Sequence, residues 1–436
     1  MQPSRLTVRL IGMRNERRVA AGLAVAAALT VAGCGSAQPA RPETAPVIAH
    51  GVAFREPIVD PRPYGAADTA FGLDVLGAWC RSDPDANLVL SPSSLASGLG
   101  MAYLGARGAT ARAMAGVLHL PAAGGQALEA GLQARSAALR GVDGPGVTVS
   151  STDQVWADPS VQTLRSYLNA VATGYGAGVA QAPLLSNPAQ AEREINQAIA
   201  TATRGHIPEL LLPGMLQNDA WVLTDALYLH AAWATPFQAS LTVPGQFTTA
   251  AGQQASVSYL NGDGYRALRM AGWTAVSLPY RGGKLDMVAL LPPAGAASCA
   301  MPAATALGTM AATLAGPGTA AGLTRSTIKL PKVNLSTRVS LRDVLAGLGM
   351  GIAFTSAADF AGLSPQACCI SFVEQAATLQ VGEKGTVASA ATAVGVTPVD
   401  LPANLITFDR PYLLLVTDTG TGEPLLVARV ANPAAR

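Results

Sequence analysis

One run of residues near the C-terminus, 385–399, restricts the folds open to this chain more than any other feature. Its fifteen residues carry no charge and no aromatic ring. A strand fixed in a core normally buries large side chains on one face, and here the side chains are small. An ordinary surface loop would be richer in charges and turn formers. The run is therefore unsuited both to a permanent core strand and to an ordinary loop.

Read as a strand, this run has two similar faces. One face consists of Thr386, Ala388, Ala390, Thr392 and Val394, and the other of Val387, Ser389, Ala391, Ala393 and Gly395. Such a segment can be exposed in one state and lie between existing strands in another, because no side chain is costly to desolvate or too large for a packed gap. The pattern predicts a mobile strand. These residues alone leave an Ala-rich linker or helix open as the alternative.

Length and charge exclude some classes of protein. The chain has 436 residues, half of them hydrophobic, so it can bury the core of one large domain or of two ordinary ones. Only 13% of the residues are charged and the formal net charge is +2, without the basic cluster that a phosphate backbone requires. Disorder over the whole length is excluded, and nucleic acid is not an expected partner.

The N-terminus has the pattern of an export signal. A basic start precedes an apolar run, 19–33, which is too short to span a bilayer as a mature helix. Residues 31–34, Val-Ala-Gly-Cys, resemble a bacterial lipobox, in which the cysteine is acylated. We predict a signal peptide over 1–33 and an exported protein held at the membrane by a lipid on Cys34. An ordinary signal peptide is the alternative, and Met1 and Met13 are both candidate starts.

Composition separates a tether from a folded domain. Residues 34–63 contain six prolines and few large apolar residues, which is typical of an extended tether. We predict that the domain covers 64–436. Asp68 is the predicted cap of its first helix, and Ser91 with Pro92 begins a second. Strands follow later, among them 221–228 and the pair 412–416 and 425–430. Helices early and strands late indicate an α+β fold.

Cysteine and histidine usage gives no sign of an enzyme or of a metal site. Beyond Cys34, four cysteines in so long a chain are not a disulfide framework, and we interpret them as mostly core residues: Cys80, Cys299, Cys368 and Cys369. Backbone geometry opposes a bridge between the two adjacent ones. The G-x-S-x-G and H-E-x-x-H motifs are absent, and none of the four histidines has a recognised catalytic setting. We therefore expect neither a surface hydrolase nor a cofactor.

The segment 383–386, Glu-Lys-Gly-Thr, followed by small residues, resembles the hinge of inhibitory serpins. Further matches occur in family order, and they include 87–94, 221–233, 278–280 and 408–412. The resemblance covers roughly 64–433, and so many ordered matches are specific where a single short motif is not.

This resemblance implies three β-sheets, about nine helices and an exposed reactive-centre loop at about 383–407. In that family a serine protease cleaves the loop, forms a covalent acyl-enzyme, and is dragged across the molecule as the loop inserts into a sheet. The chain itself would supply stored conformational energy and no nucleophile. A target serine protease is then the expected partner, and the protein is expected to be a monomer.

The resemblance also assigns roles to particular residues. It places the hinge at Glu383, Lys384, Gly385, Thr386, Val387, Ala388, Ser389, Ala390 and Ala391. It places a cluster that controls opening of the central sheet at Ser91, Ser94, Asp225, Gln375 and Trp233. The family usually has Asn where this chain has Asp225, and His where it has Gln375. The Gln amide and the two hydroxyls can still donate hydrogen bonds. We expect the pH dependence of opening to differ accordingly.

The family's hinge spacing, counted sixteen residues on from Glu383, predicts a reactive bond between Val399 and Asp400. Pro398 and Asp400 are the other candidates for the residue at the cut. Valine after proline suits a small apolar pocket, as in elastase-like proteases. Two other classes are the alternatives to an inhibitor: a serpin-fold protein that binds without inhibiting, and a ligand-binding lipoprotein.

Overall fold

The computed structural model describes residues 46–121, 124–151, 153–386 and 404–435. Cys34, the hinge residues from Val387 to Ala391, and the predicted bond between Val399 and Asp400 lie outside these ranges. None of the helices described there is long and apolar enough to cross a membrane.

The described residues form eight α-helices. They are α1 (Arg62–Ser82), α2 (Pro92–Gly105), α3 (Gly108–Val117), α4 (Gly125–Arg140), α5 (Arg165–Tyr175), α6 (Pro188–Ala202), α7 (Ala304–Ala315) and α8 (Arg342–Leu345). The predicted start of α2 is confirmed, since the Ser91 side chain accepts a hydrogen bond from the Ser94 N–H and Pro92 occupies the first turn. The predicted cap at Asp68 is wrong. Helix α1 begins after Pro61, and Asp68 lies buried inside it, paired with Arg135.

The strands are β1 (Ile48–Ala49), β2 (Leu88–Leu90), β3 (Val147–Ser151), β4 (Gln154–Ala157), β5 (Val179–Gln181), β6 (Trp221–Ala232), β7 (Val243–Thr248), β8 (Gln254–Met270), β9 (Trp273–Pro279), β10 (Leu285–Leu291), β11 (Leu323–Pro331), β12 (Val333–Ser340), β13 (Glu374–Gly382), β14 (Gly385–Thr386), β15 (Leu405–Thr407), β16 (Tyr412–Asp418) and β17 (Pro424–Val430). The strands predicted from the sequence are all present, and the α+β fold is confirmed.

The first sheet has the order β1-β5-β4-β6-β14-β13-β12, with β3 also paired to β6. The second has the order β15-β11-β8-β9-β10-β16-β17-β2, with β7 paired to β8. The third sheet implied by the resemblance is continuous with the second. The reason is the seventeen-residue strand β8, which pairs with β7 over 254–259, with β11 over 259–268 and with β9 over 267–270.

Helix α2 lies in the interior, because its short sequence is almost entirely small or apolar and nearly every residue is buried. It packs with α1, β10 and β16 in one hydrophobic cluster. The outer face of the first sheet is covered instead by α6, whose Ile195 and Ile199 pack with Ala226 of β6 and Ala376 of β13. Strands β6 and β13 are therefore buried on both faces.

The later part of the predicted tether lies on the domain. The Gln181 N–H donates to the Val47 carbonyl (2.8 Å), and the N–H groups of Val52 and Phe54 donate to side chains of α5. Strand β1 is paired with β5 at the sheet edge. Because its backbone groups are satisfied by the domain, this segment contacts the body well before residue 64.

Two cysteines interpreted as core residues form a disulfide instead. Cys80 of α1 bridges Cys299, which is 219 residues away in the segment before α7. Nothing local signals this pair, because only the packing of that segment on α1 brings the two together. Cys368 and Cys369 are free, and their sulfur atoms are 2.7 Å apart.

Candidate functional site

The hinge predicted from the sequence lies at the end of the first sheet. After β13 the chain turns at Glu383 and Lys384 and returns as β14, which is antiparallel to both β13 and β6 and lies between them. Thr386 is opposite Ala231 of β6 and Val381 of β13. The chain thus enters the sheet as the first residues of an additional central strand.

We call the line between β6 and β13 the seam. At its closed end the two strands pair directly and in parallel over four positions, from Thr224 with Glu374 to Leu227 with Ala377. At its hinge end β14 separates them. Only three residues of β6, 228–230, lie between the last direct pair and β14.

Backbone hydrogen bonds hold the turn of the hinge. The Trp233 N–H donates to the Lys384 carbonyl (3.0 Å), and the Phe237 N–H donates to the Glu383 carbonyl (2.8 Å). The indole N–H of Trp233 donates to the Gly382 carbonyl (2.9 Å). Three consecutive carbonyls are therefore satisfied by the chain that follows β6, which fixes where the additional strand begins.

Glu383 is fixed by its side chain as well. Its Oε1 atom accepts from Lys332 Nζ (3.0 Å) and from Thr242 Oγ1 (3.1 Å). Partial burial opposes ionisation of this carboxyl, but the hydrogen bonds and the Lys332 charge outweigh it and lower its pKa.

Gly385 occupies a position that admits no side chain. Its φ of +148° is one that L-residues rarely adopt, and a Cβ there would lie 2.1 Å from the Ala231 carbonyl oxygen. Thr386, the next residue, is fully buried, and its Oγ1 is 2.5 Å from the Tyr280 hydroxyl. Tyr280 stacks on Trp233 with ring centroids 4.5 Å apart. The hinge end of the seam is thus lined by two aromatic rings.

The closed end of the seam is polar. Gln375 Nε2 donates to Asp225 Oδ2 (2.7 Å) and to the Ser91 carbonyl (3.1 Å), and Gln375 Oε1 accepts from the Ser91 N–H (3.3 Å). One amide side chain therefore joins β13, β6 and the start of α2. The structure brings Ser91, Ser94, Asp225 and Gln375 together, while Trp233 lies at the hinge end.

Asp153 belongs to the same cluster, although the sequence interpretation missed it. Ser94 Oγ donates to Asp153 Oδ1 (2.5 Å). Asp153 lies between β3 and β4, which pair with successive parts of β6. An acid that interrupts an otherwise strand-like stretch, 147–157, is the signal that could have identified it.

The pKa values of both carboxyl groups of the cluster are raised. Burial raises the pKa of Asp225 well above its usual range, and the neighbouring Asp153 raises it further. Burial also raises the pKa of Asp153 to about 6, although the Ser94 hydrogen bond and the Arg135 charge partly offset this. No group of three or more His, Cys, Asp and Glu side chains in the described ranges could hold a metal ion.

The chain is a two-sheet α+β domain in which a short strand, β14, lies between β6 and β13 of the first sheet. The Serpin (serine protease inhibitor) family model matches residues 66–433. The chain therefore belongs to the serpin family.

Relatives agree with this assignment. The chain is 30% identical over 366 residues to an uncharacterised serpin-like protein of Thermococcus kodakarensis, covering 80% of this chain and 81% of that protein. It is 28% identical over 383 residues to leukocyte elastase inhibitor of Bos taurus, covering 84% and 99%. The native thermophilic serpin tengpin superposes with a TM-score of 0.75 at 21% identity, covering 89% of this chain and all of that structure, which supports the fold.

Proposed function

We propose that this protein inhibits serine proteases by offering the segment that follows β14 as bait and then inserting it into the seam. One observation carries the proposal: β14 already lies between β6 and β13 and is directly followed by the run of small, uncharged residues. The next residues in register would lie beside 228–230 of β6 and then reach the closed end of the seam.

Insertion would move an attached protease a long way. About sixteen extended residues span roughly 50 Å. Both faces of the incoming strand would meet tightly packed surroundings, with Ala226 and Ala376 under α6 on one side and the Ser91 cluster on the other. Small side chains are what such a space accepts.

The protease would cleave the bait with its own serine, and this chain would stop the reaction before the resulting ester is hydrolysed. The target's serine oxygen attacks the carbonyl carbon at the cut, the peptide C–N bond breaks, and the new amine leaves with a proton. An ester then joins the protease to the bait. Insertion removes this ester from its productive geometry before water hydrolyses it.

We propose the bond between Val399 and Asp400 as the cut, and elastase-like or subtilisin-like enzymes as targets. Valine suits a small apolar specificity pocket. The similarity to a leukocyte elastase inhibitor supports the elastase-like class. If this bond is the bait, Val399→Arg will move inhibition towards trypsin-like enzymes by at least tenfold in the ratio of association rates. An unchanged ratio would contradict the choice of Val399 and leave Pro398 and Asp400 as candidates.

We also propose that the protein is exported and anchored through an acylated Cys34. The bridge between Cys80 and Cys299 supports an oxidising compartment. Labelled palmitate should then enter the wild type and be absent from Cys34→Ala. Equal release of both forms into the medium would leave an ordinary signal peptide.

Incubation with elastase-, subtilisin- and trypsin-like proteases tests the main proposal. An SDS-resistant complex with the summed mass is expected for at least one enzyme. Thr386→Arg should be cut but should form no complex, because it places an unpaired cation where the wild-type side chain is fully buried. Thr305→Arg, at an exposed position of α7, is the matched control and should behave as wild type. Cleavage of the wild type without any complex would favour the non-inhibitory binding protein.

A further inference from the structure

Two acids, Asp153 and Asp225, lie at the closed end of the seam. Ser94 contacts the first, and Gln375 donates to Oδ2 of the second. Oδ1 of Asp225 is buried without a hydrogen-bond partner among the described residues. A buried oxygen without a donor is costly when the carboxyl is ionised and much less so when it is protonated.

Arg135, the cation that interacts with Asp153, is ion-paired to two other acids. Arg135 of α4 forms ion pairs with Asp68 of α1 and with Glu423, between β16 and β17, and all three side chains are buried. Its other N–H groups donate to Ser97 and to the Ser93 carbonyl. Burial still raises the pKa of Glu423 well above its usual range despite this ion pair, and Arg135 likewise only partly offsets the burial of Asp153.

Among the described residues, Arg135 is the one cation whose charge acts on Asp153 or Asp225. Tyr175 of α5 also interacts with Asp153, and burial raises the pKa of this tyrosine. Glu374 begins β13, where it interacts with Ser340 and Arg338 of β12. From α6, Ile195 and Ile199 face the seam, and Glu192 of the same helix accepts from backbone N–H groups of 214 and 216.

We propose that Asp153 is a positioning residue for strand insertion: protons bound to the Asp153–Asp225 pair keep the seam closed, and their loss eases its opening. The inference rests on the proposed function, because it describes how the same seam is regulated. Asp153 and Asp225 flank the Gln154–Thr224 pair of β4 and β6, and the charge on one acid opposes ionisation of the other.

The sign of the pH effect follows from the raised pKa values of both acids. A carboxyl whose pKa is raised by burial binds its proton more tightly in the closed form than after opening has admitted water. Closure is therefore strongest in acid, below the ordinary pKa of an exposed aspartate, and the contribution of Asp153 is lost as the pH rises through its closed-form pKa of about 6. Each pH unit within that window changes the opening equilibrium by up to about tenfold per proton released.

Annealing of a synthetic peptide tests this without any protease. A labelled peptide with the sequence of 385–399 should enter the seam of the intact protein, and its fluorescence anisotropy reports the rate. We expect wild-type annealing to be at least tenfold faster at pH 8 than at pH 5. Asp153→Asn should reduce this slope, because an amide does not titrate and because Asp225 loses the neighbouring acid that helps to raise its pKa. Asp225→Asn provides a second variant that keeps an acceptor for Gln375, and it should also reduce the slope.

Asp286→Asn is the matched control. Asp286 is a buried acid of β10 that accepts from Ser277 (2.6 Å), and burial raises its pKa to about 6 as well. It lies outside the first sheet, so its loss should alter the pH dependence of global unfolding and leave the annealing slope intact.

The outcomes separate this inference from the proposed function. One outcome is that the wild type forms no protease complex while Asp153→Asn still reduces the pH dependence of annealing. That result would contradict the proposed inhibition and support the role of the carboxyl pair. Annealing that is fastest in acid, that is absent at every pH, or whose slope survives both Asp153→Asn and Asp225→Asn would overturn the inference. So would an equal flattening by Asp286→Asn.

Discussion

The hinge end and the closed end of the seam use different chemistry for different tasks. At the hinge end, Trp233 and Tyr280 stack around β14, and Thr386 is buried against them. At the closed end, Gln375 and two acids join the strands to α2. Aromatic packing is insensitive to pH, whereas a cluster of carboxyls is not. Under the proposed function, the start of insertion is fixed at the hinge end and its progress is controlled at the closed end.

The largest expected effect comes from completing the strand. Cleavage within 387–403 should let the bait fill the seam and add on the order of ten backbone hydrogen bonds, each worth about 1 kcal/mol. The melting temperature should then rise by roughly 10 °C or more. Circular dichroism of intact and loop-cleaved protein measures the difference. Identical melting curves would mean that the two ends of the seam do not cooperate in insertion.

A smaller effect is expected from breaking the closed end alone. Gln375→Ala leaves the Ser91 N–H and the Ser91 carbonyl without their side-chain partner, and it leaves Asp225 Oδ2 unpaired. We expect a loss of about 2–4 kcal/mol in the free energy of unfolding, measured with urea.

Gln380→Ala is the matched control for Gln375→Ala. It changes the same residue type on the same strand, where the exposed amide donates only to Asn334 (2.7 Å). A loss below about 0.5 kcal/mol is expected there. Equal losses in the two variants would show that the closed end has no special role.

The smallest effect is expected at the hinge end. Tyr280→Phe removes the contact with Thr386 Oγ1 but keeps the stacking on Trp233, so it should cost about 1 kcal/mol. Its unfolding free energy should not gain or lose any pH dependence between pH 5 and 8. A marked change in pH dependence would contradict the contrast between the two ends.

Much of the fold could be predicted because its signals are local. Ser91 and Pro92 identify the start of α2, and alternating or continuous apolar runs identify β6, β16 and β17. The first and last residues of these elements were harder to predict from the sequence. Helix α1 begins at Arg62 because Pro61 and Pro63 favour its first turn. Asp68, the predicted cap, forms an ion pair with Arg135 of α4 instead.

By itself, the sequence determined the turn at Gly385 and the small, uncharged run after it, from which we predicted an insertable strand. Backbone freedom and side-chain size are properties of the residues themselves. Only the tertiary structure decided which groups meet Asp225. Asp153, Arg135 and the pair of Cys80 with Cys299 became visible only after folding. Their partners come from elements far apart in the chain, and burial, which sets the protonation of the acids, is a property of the packed molecule rather than of any local pattern.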